Sequence, residues 1–470
     1  MFSKSADGGK GVSLAVMFSG AFLSAFCQTA VTPALPVFMA DFSVDASVVQ
    51  WVTTGFFLVS AIMISVTAHL TDRYDMRRLF MVAMAIYLVG SFIIGVAPAF
   101  EVLLAGRLMQ AVSVGVLMPM TMTALLLAYP PEQRSTAMGM FGLINAFAPG
   151  ISPCLSGVVI DWAGWRVLFL ALAAFSLAIM VIGAGTLKRS EPLGIQAPLD
   201  KPSLALSCVG LGCLLYGLSA LGNGRFGVID GVVFLMGVIG IALFVRRQLR
   251  MEHPMLEMRV FTVRRFTIGV IIGMLVQASL FVAHVLLPIY LQAYRGYSAS
   301  VSGLVILPGA LLLGVLSPTT GKLADKYGVR NLALFGMVLL VLSTAALGFL
   351  REDTPIQYVA FLFAVRMVAL AVMNMPVTAW AMKALDDGVV NHGTSLNNTM
   401  RQIAGSFGTA LLVSVATLSS SAGGASMGAV RAGVLGIDVA FRAAALCCLA
   451  GLILIIVFVG TAKSEAVTKR

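Results

Sequence analysis

The sequence is short of charge. Asp, Glu, Lys and Arg make up 11% of its 470 residues, where soluble domains carry roughly a quarter. It is also short of long polar connections, so no stretch is large enough for a soluble catalytic or signalling domain. There are only four His, and the six Cys (Cys27, Cys154, Cys208, Cys213, Cys447, Cys448) fall in apolar stretches without metal-ligand spacing. They read as small buried apolar residues, with no disulfide framework and no metal. No nucleophile, phosphate or metal motif occurs, so neither an enzyme nor a cofactor is expected. The net charge of +11 sits on no soluble basic face and is not a nucleic-acid signature.

What is present is apolar surface. The chain is 59% apolar, with a mean hydropathy of +0.98. Its 47 Gly suit close packing of membrane helices. Its 26 Met suit either a lipid face or a site that adapts to several ligands. A hydrocarbon core of about 30 Å needs roughly 20 apolar residues per helix. Cutting at charge and Gly/Pro clusters predicts fourteen spans: 12–38, 51–70, 79–97, 102–125, 137–159, 166–186, 204–222, 230–247, 266–292, 301–321, 331–350, 357–380, 397–418 and 439–461. Lys4 and Lys10 precede an apolar run that is too long for a signal core of about 7–15 residues. The first span is therefore read as uncleaved.

An even number of spans puts both termini on one side. That side receives 22 of the 31 basic residues, the opposite loops six, and Arg107, Arg366 and Arg401 fall within spans. The positive-inside rule then predicts cytoplasmic termini.

The stretch "AHLTDRYDMRRL" (Ala68–Leu79) returns as "GKLADKYGVRNL" (Gly321–Leu332), 253 residues later. The copies follow the second and tenth spans. Setting aside the pair 204–222 and 230–247 gives two parallel six-span halves, as transporters are often built. The predicted units are 1–190, a two-helix insertion at 191–262, and 263–470. In each copy an acid at a helix end (Asp72, Asp325) stands near basic residues (Arg73, Arg77, Arg78; Lys326, Arg330). Such pairs suit a cytoplasmic latch between rocking halves.

At these residues the chain resembles the major facilitator superfamily, whose loop motif runs Gly-x-Leu-Ala-Asp-Arg-x-Gly-Arg-Arg. The second copy matches it well, while the first replaces both glycines with Ala68 and Asp75. Three further stretches resemble the fourteen-helix drug:proton antiporter branch. "RLMQAVSVG" (Arg107–Gly115) is similar to its fourth-helix motif, and "SPCLSG" (Ser152–Gly157) to its fifth-helix antiporter motif with Ser for two glycines. "SLNNTMRQIAGSFGTA" (Ser395–Ala410) is the third. The resemblance implies an all-α integral membrane protein of the bacterial cytoplasmic membrane. Its partners would be an amphipathic, often cationic, drug-like substrate, protons and the lipid bilayer, and it would act as a monomer.

Polar side chains within spans are costly and mark candidate sites. Arg107 and Gln110 share one face. Arg107 either snorkels to the interface or, as the resemblance implies, tunes a protonation site. Asn145, Pro149, Ser152 and Ser156 form one stripe, which packs against a neighbour or lines a cavity. Pro149 and Pro153 should kink their helix. Ser152, Pro153, Ser156 and Gly157 are read with Pro149 as a close-packed hinge. Gln277, Phe281 and His284 follow i, i+4, i+7 and suggest a cavity face. Asn374 joins it from another span, while Asn397, Asn398, Arg401 and Gln402 suggest an inner gate.

The first span holds "FCQTAVTPALP" (Phe26–Pro36). Antiporters of this branch carry an acid where Gln28 stands and an Asn where Thr32 stands. All twenty Asp and Glu fall in loops or at span edges. Three accounts stay open. A rim carboxylate (Asp41, Glu101 or Asp161) or His284 carries the proton; transport is uncoupled or driven by substrate charge; or Gln28 is an introduced replacement of Glu. The expectation is a multidrug exporter working by alternating access. The alternative is an exporter or flippase of one endogenous metabolite or lipid.

Overall fold

The structure is a computed structural model. It describes residues 7–128, 134–187, 200–222, 227–251, 254, 257–385, 390–424 and 428–459. The described residues are helical, with no strand among them. Among the described residues, thirteen helices are long and apolar enough to cross a membrane.

The first crossing runs from Val12 to Phe42, further than the expected 38. It comprises α1 (Asp7–Ala30), a 3-10 turn (Thr32–Ala34) and α2 (Leu35–Phe42). Pro33 and Pro36 have no N–H for the carbonyls four residues back. The chain tightens instead, with the Ala34 N–H bonding the Val31 carbonyl at 2.9 Å. A short α3 (Ala46–Val49) leads into α4 (Trp51–Arg73), α5 (Met76–Gly95) and α6 (Phe100–Ala128).

Next comes α7 (Arg134–Thr186), 53 residues. As one straight helix it would span about 80 Å at 1.5 Å per residue, more than twice a bilayer core. It breaks at Gly164, with φ 84 and ψ 161, a conformation that glycine adopts without steric cost. The two spans expected at 137–159 and 166–186 are therefore joined around this break. Around Pro149 and Pro153, where a kink is expected, α7 stays helical. Pro153 cannot donate to the Pro149 carbonyl, and Thr29 Oγ1 does so at 2.8 Å. A side chain thus replaces the lost helical bond.

The pair α8 (Lys201–Gly222) and α9 (Val228–Arg250) follows. Its helices approach closely because Gly210, Gly237 and Gly240 meet: a Cβ on Gly240 would lie 3.0 Å from the Gly210 Cα. Small residues are how membrane helices pack without a hydrophobic driving force. The second half comprises α10 (Arg264–Pro288), prolonged by a π turn (Ile289–Tyr294), then α11 (Ala299–Tyr327), α12 (Val329–Leu347), α13 (Ile356–Met382), α14 (Val390–Gly424) and α15 (Ala429–Phe458). Leu211 and Leu215 of α8 pack with Leu58 of α4 and Ala410 of α14. The inserted pair is seated across both halves.

Each half ties its ends together in the same way. Ser13 Oγ donates to the Thr186 carbonyl at 3.0 Å, and Arg77 donates to Ala184 at 2.5 Å. In the second half Arg330 donates to Ile456 at 3.3 Å, and Arg264 lies over Phe458 at 4.8 Å. Arg77 and Arg330 occupy matching positions of the repeat. Each sits on the carboxyl end of the last helix of its half, where the helix dipole favours a cation.

Two sequence expectations are corrected here. Asp438 was placed at a span edge, but α15 begins at Ala429, so it lies inside that helix, 7% exposed. Its Oδ1 accepts the Leu350 N–H at 3.0 Å, and Arg442 stands 4.0 Å away. Its helix is longer than the apolar run because this acid is bonded within the fold. Of the six Cys, only Cys27 and Cys448 are buried, and Cys208 is exposed. Cysteine is apolar enough to face lipid as readily as a core.

Candidate functional site

Arg107 of α6 is fully buried. Its Nε donates to the Val52 carbonyl at 3.2 Å. Its Nη1 donates to Cys27 Sγ at 2.9 Å and to Gln110 Oε1 at 3.0 Å. Its Nη2 reaches the Gln28 carbonyl at 3.4 Å, and the guanidinium lies 3.9 Å from the Phe56 ring centroid. Gln110 Nε2 donates to Ser91 Oγ at 2.8 Å. Arg107 does not snorkel. It ties α1, α4 and α6 through neutral acceptors and an aromatic face, a setting that tolerates a cation only when its donors are satisfied.

Arg366 of α13 is its counterpart and is also fully buried. It donates to Thr344 Oγ1 and to the backbone and side-chain oxygens of Ser279, the last at 2.8 Å. Cys448 Sγ reaches Ser279 Oγ at 3.2 Å. Ser91 and Thr344 lie 253 residues apart, and Arg107 and Arg366 lie 259 apart. The duplication seen in the loops thus extends to a buried arginine knot in each half. Sequence reading counted Arg366 among the intramembrane arginines but did not single it out; its place in the fourth span of its half, like that of Arg107, was the signal. It also missed Cys27 as a partner of Arg107.

The face expected from Gln277, Phe281 and His284 is divided. Gln277 Oε1 accepts from Arg401 Nε at 3.2 Å and Nη2 at 2.6 Å. Asn374 Oδ1 accepts from Arg401 Nη1 at 2.6 Å. Arg401 was expected at the inner gate, yet the structure brings it to Gln277, at the middle of α10. Phe281 crosses between the halves, with its ring centroid 3.9 Å from that of Phe57. His284 stays within the second half, its ring 5.8 Å from Phe363 and its Nδ1 3.0 Å from the Leu280 carbonyl. Gln28 is half-buried, Thr32 is buried in the 3-10 turn, and no described residue hydrogen-bonds the Gln28 amide. The side chain of Asn145 lies outside the described residues.

The hinge residues form a seam. Ser152 Oγ donates to the Phe26 carbonyl at 2.6 Å, and Ser156 Oγ bonds back to the Ser152 carbonyl at 2.8 Å. A Cβ on Gly157 would lie 2.5 Å from the Ala299 carbonyl oxygen. One on Gly303 would strike the Pro153 carbonyl and lie 2.8 Å from the Cys154 Cα. Both Asp161 carboxylate oxygens cap α11, at 3.0 Å from the Ala299 N–H and 2.7 Å from that of Ser300. Gln292 donates to the Pro33 carbonyl at 3.1 Å, and Ser406 to the Thr54 carbonyl at 2.7 Å. The bonds of Asp161, Gln292 and Ser406 join the two halves. All lie at mid-depth or towards the end away from the termini.

The rim carboxylates differ in setting. Asp41 accepts from Trp165 Nε1 at 2.7 Å, Asp161 is the cap just described, and Glu101 is exposed. Around the expected latch, Arg73 and Arg78 are exposed and Arg78 lies 6.0 Å from the Tyr74 ring. Lys326 stands 5.3 Å from the Tyr327 ring. The described partners of Arg77 and Arg330 are helix-end carbonyls. The side chains of Asp72 and Asp325 lie outside the described residues.

The sequence profile of the Major Facilitator Superfamily matches residues 17–409. The chain belongs to the Major Facilitator Superfamily. This major facilitator protein is a multi-pass membrane transporter acting on small molecules, as its relatives are. It is 38% identical to the uncharacterized MFS-type transporter YcnB of Bacillus subtilis (strain 168), over 95% of this chain and 94% of that one. It is 32% identical to the lincomycin resistance protein LmrB of the same organism, over 86% and 85%. It is 30% identical to a multidrug resistance protein B homolog of Mycobacterium tuberculosis (strain ATCC 25618 / H37Rv), over 82% and 72%.

Proposed function

We propose that this major facilitator protein exports amphipathic drugs across the bacterial cytoplasmic membrane by alternating access. In this reading it crosses fourteen times, α7 turning at Gly164, with both termini in the cytoplasm and two six-helix halves around the inserted pair. The observation that carries it is the seam. The halves are joined by hydrogen bonds at mid-depth and towards one end, as a carrier closed on that face requires. The resistance proteins at 32% and 30% identity support drug-like cargo.

The test is accumulation of ethidium and rhodamine 6G in cells with and without the protein, with a protonophore added in a second arm. Lower accumulation with the protein is expected. Unchanged accumulation across a broad dye and antibiotic panel overturns the reading. Loss of efflux with the protonophore supports proton coupling, and persistent efflux removes it from the proposal. A second reading, export of one endogenous metabolite or lipid, draws on the directional hydrogen bonds at Arg401. A single accepted cargo in proteoliposomes selects it.

A further inference from the structure

We infer that Arg401 is an anion-binding site, where the guanidinium takes a carboxylate or similar oxyanion of the transported molecule. This rests on the transport reading and specifies the cargo's chemistry. Three observations carry it: the unused donors, the gap beside them, and the charge of the interior.

A guanidinium has five N–H donors. Gln277 Oε1 takes two and Asn374 Oδ1 one. One donor on each terminal nitrogen remains. Gln277 and Asn374 come from α10 and α13, so two helices hold the fork of a third. Neither neutral amide cancels the charge. The arrangement orients a cation without neutralising it, which favours two-point recognition of an oxyanion.

Arg401 is reachable, unlike the fully buried Arg107 and Arg366. A narrow gap of ≈ 10 Å³ lined by Gly273, Val276, Met373, Asn374 and Val377 lies beside it, about the room of one water. Gly273 faces Arg401 without a side chain; even a Cβ there would stand 3.8 Å from the Arg401 Cγ and Cδ. Asn374 both lines the gap and holds the guanidinium.

The described membrane interior is biased towards positive charge. Arg107 and Arg366 are fully buried, and Arg401 lies within the span Leu396–Ser421. The one buried carboxylate, Asp438, is bonded to Leu350 with Arg442 beside it. An unneutralised charge at membrane depth is costly. An anionic group docking on Arg401 lowers that cost, whereas a cationic drug raises it. The inferred site thus favours an acidic cargo over a cationic one.

The experiment uses two probes that share a xanthene ring, anionic fluorescein and cationic rhodamine 6G. The wild type, Arg401→Gln and Arg401→Lys are each reconstituted in proteoliposomes. The wild type is expected to transport fluorescein with the lower KM. Loss of a charge-assisted pair should lower the fluorescein-to-rhodamine ratio of kcat/KM by about 10- to 100-fold in Arg401→Gln. Arg401→Lys should recover part of it. Binding is read separately, as the rise in melting temperature of the detergent-solubilised protein with fluorescein. That rise should be present in the wild type and absent in Arg401→Gln. Rhodamine transport with an unaltered ratio in Arg401→Gln overturns the inference and leaves the export reading standing. Transport of neither dye counts against export. The binding arm then decides this inference: a fluorescein shift lost in Arg401→Gln supports it, and no shift in the wild type overturns it.

Discussion

Replacing Gly303 with Ala should force the seam open. The added Cβ meets the backbone of α7, at the Pro153 carbonyl and 2.8 Å from the Cys154 Cα. Backbone cannot rotate away as a side chain can, so α11 and α7 must separate locally. Overpacking of this kind costs about 1–3 kcal/mol. Where the seam is open in the competing state, that cost falls only on the closed one. It then shifts the balance between states by about 5- to 150-fold. The assay is spin-label distance measurement between Glu101 and Glu352. Both are exposed, on opposite halves at the end away from the termini. Gly303→Ala should enrich the longer distances. Gly314→Ala is the control, because a Cβ there meets nothing within 4 Å. An unchanged distribution in a well-folded Gly303→Ala protein would refute the reasoning, as would the same change in Gly314→Ala.

Other outcomes follow from the same geometry. Arg107→Ala and Arg366→Ala should each lower the melting temperature in detergent, by the loss of about 1–3 kcal/mol for buried acceptors left unpaired. An unaltered melting point in either would remove that knot from the packing account. Asp200 accepts from Arg247 at 2.6 and 2.7 Å, and these bonds hold its carboxyl below the usual carboxylate range. A depressed folded value means the pairing stabilises the α8–α9 hairpin fully above the unfolded pKa of about 3.9. That support fades as pH falls below this value and through the folded one. The hydrogen-exchange protection factor at the start of α8, corrected for the intrinsic pH dependence of exchange, should therefore fall on acidification, and no such change should be seen in Asp200→Asn. Gln28→Glu places a titratable group where no described hydrogen bond holds the amide, next to a carbonyl already bonded by Arg107. It should add pH dependence to dye efflux, and a flat pH profile would show that this position does not couple.

Much of the frame was legible because membrane spans and repeats are written in consecutive residues. Apolar runs gave the crossings, and Ala68–Leu79 against Gly321–Leu332 gave the duplication. Helical spacing put Arg107 with Gln110, and Ser152 with Ser156. What the sequence could not place were contacts between distant helices. Arg401 looked like a gate residue because its neighbours Asn397, Asn398 and Gln402 are polar. Its amide partners lie 27 and 124 residues away. Gln277, Phe281 and His284 share a helical spacing but were dispersed by what each meets: a guanidinium, an opposing ring and a core ring. The partner of the Pro149 carbonyl was hidden for the same reason, since Thr29 from another helix donates to it.

The most direct test of the transport account is to lock the seam. Cysteines placed at Asp161 and Ser300, in a protein lacking its own six, span a hydrogen bond of 2.7 Å between the halves. A short bifunctional thiol reagent with a reducible link then clamps the closed face. Whichever dye the reconstituted protein carries should stop moving when the link forms and move again when it is reduced. Undiminished transport through a fully linked protein would contradict alternating access across this seam.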